Sequence, residues 1–295
     1  MDPLAFALNP ADYGLPTREQ LVAYRIWDTH FHGFNATTDP LGQFHANNLY
    51  VRRMGIERSI TLEAGGTLRA PLQPATHDAA VRALLVKERS WLSGITPIDP
   101  GFPDESCAKM EAWIRRGPCI GIKYVGGNSR GISCSHPNND PIIRLAAELE
   151  ATIYIHTWLK VGGTPRGPGR GNLPGESTPQ DVVALARRFP DVRFICGHSG
   201  GDWELGVRVV RPQPNVLLEF AGSDPHSGAV DFAARELGAE RLVWGGHGPS
   251  RSYATELAKV LESDLSHADR LKVFGGNFRH LAAPILRRQG IPFEL

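Results

Sequence analysis

Short apolar runs alternate with longer amphipathic stretches along almost the whole chain. The runs at 25–30, 58–63, 91–98, 120–124, 152–156, 192–197, 215–220 and 242–245 are rich in β-branched, aliphatic and aromatic residues and read as strands. Helix-like stretches stand between or after them at 76–89, 104–116, 140–150, 179–189, 229–237 and 253–261. One carries a clear start signal, Ser177 or Thr178 ahead of Pro179, which suits a first helical turn. Strands alternating with helices predict a parallel sheet with helices outside it. Eight such units predict a closed (β/α)₈ TIM barrel of the α/β class, with an open doubly wound sheet as the second choice. No repeat, charge block or linker divides the chain. Residues 1–295 are therefore expected to form a single domain, with an N-terminal extension over 1–24 and a C-terminal helical segment over 262–295. The stretch KVGGTPRGPGRGNLPG at 160–175 predicts a long loop directly after the fifth strand. It suits a surface excursion and an active-site loop equally.

Composition narrows the class. With 295 residues, 41% hydrophobic and 21% charged, the chain can build a large core. A net charge of +1 gives no reason to expect nucleic acid or a membrane surface as partner. A small-molecule substrate is the expected partner, and a homo-oligomer is left open. Cys107, Cys119, Cys134 and Cys196 form no C-x-x-C pair, so neither a disulfide framework nor cysteine-bound zinc is expected. The start of the sequence lacks the pattern of a secretory signal, and no run approaches roughly 18 consecutive apolar residues. A cytoplasmic protein without a membrane span is the expectation.

The histidines add chemistry. Asp28-Thr29-His30-Phe31-His32 closes the first strand, and alternate strand residues share a face, so His30 and His32 project together. Asp28 shares that face and can orient a ligand from behind. His156, His198 and His247 also fall at strand ends. In a barrel of this kind the active site lies at the carboxyl ends of the strands. Five imidazoles converging there are what a metal ion needs, whereas each alone reads as an ordinary hydrogen-bonded histidine. Lys123 closes the fourth strand and is read as a substrate contact or as the partner of Glu63 or Glu219. Arg130, Lys160, Arg166, Arg170 and Arg251 fall in or near mouth loops and are candidates for holding a substrate carboxylate. Trp158, Trp203 and Trp244 are candidates for packing a ring, with barrel packing the stronger reading for Trp244.

The ordered motifs WDTHFHG, GIKYVGG, YIHTW, ESTPQDVVALARRFPDVRFICGHSGGDWE, LVWGGHGPSRSYATELAKV and VFGGNFRHLA cover most of the chain. Together they resemble the amidohydrolase-related (amidohydrolase 2) group of the amidohydrolase superfamily, which holds mononuclear metal-dependent hydrolases and non-oxidative decarboxylases. The resemblance implies one divalent metal, expected to be zinc, on His30, His32 and His156. It gives His198 a catalytic role in polarising substrate or moving a proton; Lys123, Arg130, Trp158 and Arg251 are candidates for substrate contact from their positions at strand ends and in mouth loops. The group usually carries an aspartate after strand eight, in contact with the metal. Here that position is His247, which is read as a catalytic base, a fourth ligand or a disabling exchange; Asp224 and Glu219 are the nearest acids in sequence that can take over. The main expectation is a metal-dependent hydrolase of a small amide, ester or lactone. The alternatives are a decarboxylase of a small aromatic or related acid, and a weak or inactive ligand-binding barrel.

Overall fold

The computed structural model describes residues 16–34, 39–66, 68, 75–159, 172–222 and 227–295. Eight strands, β1 (Trp27–Phe31), β2 (Arg58–Thr61), β3 (Leu92–Ile98), β4 (Cys119–Tyr124), β5 (Thr152–Ile155), β6 (Phe194–Cys196), β7 (Val216–Glu219) and β8 (Leu242–Val243), lie side by side in chain order. Every adjacent pair from β1–β2 to β7–β8 is parallel. All their residues are buried, because inward side chains fill the barrel while outward ones meet helices. Each fully buried Ile, Leu or Phe along them stabilises the fold by about 1.5–3 kcal/mol.

The helices are α1 (Arg18–Ala23), α2 (Pro40–Arg53), α3 (Ala75–Lys87), α4 (Pro103–Met110), α5 (Asp140–Glu148), α6 (Pro179–Arg188), α7 (Trp203–Val210), α8 (Ala229–Leu237), α9 (Tyr253–Leu261), α10 (His267–Leu271) and α11 (Asn277–Arg288). The stretch expected at 104–116 is α4 continued by one π-helical turn, Glu111–Arg115. Thr178 starts α6 as read from sequence. Its backbone N–H donates to Asp181 at 2.9 Å, Asp181 N–H returns to the Thr178 hydroxyl, and Pro179 occupies the first turn. None of the described helices is long and apolar enough to cross a membrane.

The C-terminal segment covers the end of the barrel away from the strands' carboxyl ends. Asn277 donates to Leu242 O, Arg279 to Arg25 O and Gln289 to Cys119 O, each at 2.7 Å. The carboxyl ends are thus left to form the mouth.

No ladder hydrogen bond joins β8 to β1 among the described residues. Side chains close that seam instead. Thr29 donates to Trp244 O at 2.7 Å, and the buried Asp28 carboxylate accepts from Gly246 N at 2.7 Å and Tyr253 Oη at 2.9 Å. Asp28 is therefore spent on backbone and seam, with a further bond from His30 N, rather than on orienting an imidazole.

Candidate active site

The mouth of the barrel gathers imidazoles at the positions the strand-end pattern singled out. His30 and His32 leave the end of β1, His198 follows β6 and His247 follows β8. One nitrogen from each of His30, His32 and His247 lies within 4.8 Å of the other two, and a second such group is His30, His198 and Glu219. The His30 and His247 rings stack with centroids 4.3 Å apart.

Two of these histidines sit on strained backbone. His198 has φ +60° and His247 φ +50°, a region that costs a non-glycine residue about 1–2 kcal/mol. The turn at His198 is held in place by Glu219, which accepts from His198 N at 2.9 Å, and by Ser199, which donates to Glu219 O at 3.0 Å. Between the two rings, Gly222 has φ +73°, and a β-carbon there would lie 2.5 Å from His247 Cδ2 and 3.0 Å from His198 Nδ1. Only glycine lets both rings face the centre.

Hydrogen bonds set the tautomer of each ring. Tyr154 Oη donates to Glu219 at 2.7 Å, so it must accept from His30 Nδ1, also at 2.7 Å. His32 Nδ1 donates to the Glu63 carboxylate. Ser250 donates to His247 O at 3.0 Å and so accepts from His247 Nδ1. All three Nδ1 atoms carry the proton, which leaves an Nε2 lone pair on each ring. His30 Nε2 and His32 Nε2 face each other at 3.1 Å. Two lone pairs at that distance repel unless a cation lies between them. The donor set therefore fits a divalent metal ion, with Glu63, the Tyr154–Glu219 pair and Ser250 as orienting partners. Burial keeps His30 and His247 neutral. It holds His30 well below the ordinary imidazole value, aided by Lys123, and pulls His247 down to about 3.

From this arrangement, Tyr154→Phe is expected to weaken metal binding about tenfold or more, because His30 loses the acceptor that fixes its tautomer. Competition with a chromogenic chelator measures it, and an unchanged affinity would remove Tyr154 from this role.

His156 is placed differently. Its Nδ1 lies 3.1 Å from His198 Nε2 and its Nε2 lies 3.0 Å from Glu176 Oε1. His198 Nδ1 donates to Ala221 O, so its Nε2 accepts and His156 Nδ1 donates. His156 Nε2 then faces the Glu176 carboxylate, which accepts from it when that nitrogen is protonated; burial holds His156 below the ordinary imidazole value. Burial also holds His198 well below the usual range, with His156 adding to the effect.

Lys123 rises from β4 into the same space, with Nζ 3.4 Å from His30 Nε2 and 5.1 Å from the centre of the Tyr154 ring. Burial lowers its pKa to about 8, and raises that of Glu219 to about 7. Trp158 stands half-buried at the mouth, its ring centre 5.7 Å from that of His198.

The other sequence candidates lie elsewhere. Arg130 is exposed and packs over Phe102 at 4.1 Å. Arg251 is exposed beside Ser250. Trp203 packs edge-on against Phe232 at 5.7 Å, between helices rather than at the mouth. Trp244 is buried and donates to Glu256 O, as barrel packing requires. Lys160, Arg166, Arg170 and Asp224 fall outside the described residues. Sequence reading missed Tyr154 and Glu176. Tyr154 was visible in principle, two residues before His156 and so on its face, whereas nothing local marks Glu176.

The fold has many solved counterparts. A 2,6-dihydroxybenzoate decarboxylase from Rhizobium is 15% identical, with a TM-score of 0.62 over 88% of this chain and 98% of that one. A dihydroxybenzoic acid decarboxylase from Polaromonas sp. JS666, solved with manganese and the inhibitor 2-nitroresorcinol, is 16% identical, with a TM-score of 0.62 over 91% and 98%. The 5-carboxyvanillate decarboxylase of Sphingomonas paucimobilis is 15% identical, with a TM-score of 0.58 over 81% and 82%. At these identities the likeness concerns the fold. No curated protein matches the chain. The family model described as amidohydrolase matches residues 27–281, from the first strand to the last helix. The chain belongs to the amidohydrolase family.

Proposed function

We propose that this chain is a metal-dependent enzyme that removes the carboxylate of a small ring-bearing acid as carbon dioxide, without oxidation. The observation that carries this reading is Lys123. Its ammonium is buried among neutral imidazoles, and no described carboxylate lies within ion-pair distance of it. A buried cation that Glu63 and Glu219 reach only at longer range is a site for an anionic substrate. Trp158 offers a face for a ring beside it. The decarboxylases that share the fold support this reading over hydrolysis. So does His247, since a neutral imidazole standing where a carboxylate would collect water's proton leaves hydrolysis without its usual base.

A bound divalent ion supplies a Lewis acid that holds substrate oxygens and draws electron density from the ring. With three nitrogen donors we expect zinc ahead of manganese. Lys123 draws the carboxylate inward, and Trp158 packs the ring. A proton shared between His156 and Glu176 passes to the ring carbon, while His198 holds the His156 ring in place. The bond from that carbon to the carboxylate then breaks, and its electron pair restores the ring as carbon dioxide leaves.

The test is to give the metal-loaded chain a panel of hydroxybenzoates in deuterated water, with a lactone and amide panel alongside. Carbon dioxide release with one deuterium on the product ring supports the reading. Opening of a lactone or amide, with no carbon dioxide from any acid, overturns it in favour of the hydrolase.

A further inference from the structure

A cleft of 640 Å³ opens between α2 and the segment that leads into α9, on the outer side of His247. Asn47, Tyr50 and Arg53 line it from α2, and Ser250, Arg251 and Tyr253 from the other wall. No carboxylate lines it. Arg53 lies over the Tyr50 ring at 5.6 Å, and Arg251 donates only to the carbonyls of Ser250 and Gly222, at 3.3 and 3.4 Å. Arg53 has no described carboxylate partner, and Arg251 reaches the Glu256 carboxylate only at longer range. Helix α9 begins here, and Ser252 ahead of it makes no side-chain capping bond, so the first-turn N–H groups lack a side-chain acceptor. Independently, Asn47 is only 7% exposed and its Nδ2 is buried without a hydrogen-bond acceptor. A buried amide donor left unpaired beside two guanidiniums that make no described ion pair points to an absent acceptor.

We propose that this cleft binds the oxyanion group of a small molecule, a carboxylate or a phosphate, and that Ser250 transmits its occupancy to the metal nest. Arg53, Arg251 and Asn47 hold the anion, while Tyr50 and Pro249 flank the rest of the ligand. Ser250 has one hydroxyl proton, now donated to His247 O, and its oxygen accepts from His247 Nδ1. An anion in the cleft turns that hydroxyl proton toward itself, while the oxygen keeps accepting from His247 Nδ1 as a stronger acceptor and so polarises the imidazole toward the metal position. Anion and metal therefore support one another, each strengthening the other by the same factor. The inference requires the metal nest but not the decarboxylase reading, so either can fail alone.

Inorganic phosphate is titrated calorimetrically into the full chain, metal-loaded and metal-free, with benzoate as the second arm. One anion is expected per chain, bound with or without metal but more tightly with it, and at least about tenfold more weakly in Arg53→Gln, an exposed substitution remote from the imidazoles. Tighter phosphate identifies a phosphorylated ligand, and tighter benzoate a carboxylate one. Phosphate should also slow metal loss to a chelator about threefold or more in the unaltered chain and not in Arg53→Gln. Phosphate that merely strips the metal acts on both alike and overturns the coupling. Binding that survives Arg53→Gln, binding that requires the metal, or no binding of either anion overturns the site.

Discussion

His30→Asn leaves the chain without bound metal and lowers turnover by about three orders of magnitude or more. His30 is fully buried and belongs to both groups of converging donors, so no neighbour substitutes for it. Asparagine retains an amide that can reach Tyr154, which limits damage to the floor of the site. It places no second donor where Nε2 faces His32, and a site reduced to two imidazoles does not hold an ion against dialysis. Elemental analysis after dialysis, with circular dichroism to verify the fold, provides the measurement. Retention of one ion per chain in the variant, with normal turnover, would remove His30 from the centre.

His247→Asp is expected to convert the site toward hydrolysis. Aspartate tolerates the left-handed backbone at this position, so the turn at φ +50° need not move. The exchange places a negative charge among neutral donors and lowers the net charge of a divalent centre from about +2 to +1. It also supplies a carboxylate able to accept a proton from water. We expect manganese to bind about tenfold more tightly, lactone opening to rise about tenfold or more, and carbon dioxide release to fall. Metal titration and parallel assays on both substrate panels read these changes. If affinity, hydrolysis and decarboxylation all stay as they were, His247 does not contribute to the metal centre.

The eight strands were legible because each is an apolar run of the right length between turn residues, and the outward half of each run meets a helix. Helix α2 was not read, since Gln43, His45, Asn47 and Asn48 break its apolar stripe. Helix α7 was missed because it is short and follows the glycine-rich turn at Gly200 and Gly201. The strand-end rule found the five described histidines that gather at the mouth. It did not tell which would converge, because the bulge between Asp28 and Phe31 and the left-handed residues 198 and 247 aim the rings, and neither feature has a signature in residue type. His156 illustrates the limit. The resemblance gives it to the metal, yet its ring is engaged by Glu176, whose approach depends on how the loop after β5 returns to the barrel.

The seam between β1 and β8 gives the metal a mechanical role as well as a chemical one. His30 and His32 stand on one side of that opening and His247 on the other, so an ion shared by all three bridges the one place where the sheet does not close on itself. Spreading the seam then requires release of the ion. At a free concentration about a thousandfold above its dissociation constant, the ion adds about 4 kcal/mol to the free energy of that opening. Amide protons of Thr29, Trp244 and Gly246 should accordingly exchange with solvent far more slowly in the loaded protein, while those of β3 and β4, on the opposite side of the barrel, keep the same rates with or without metal.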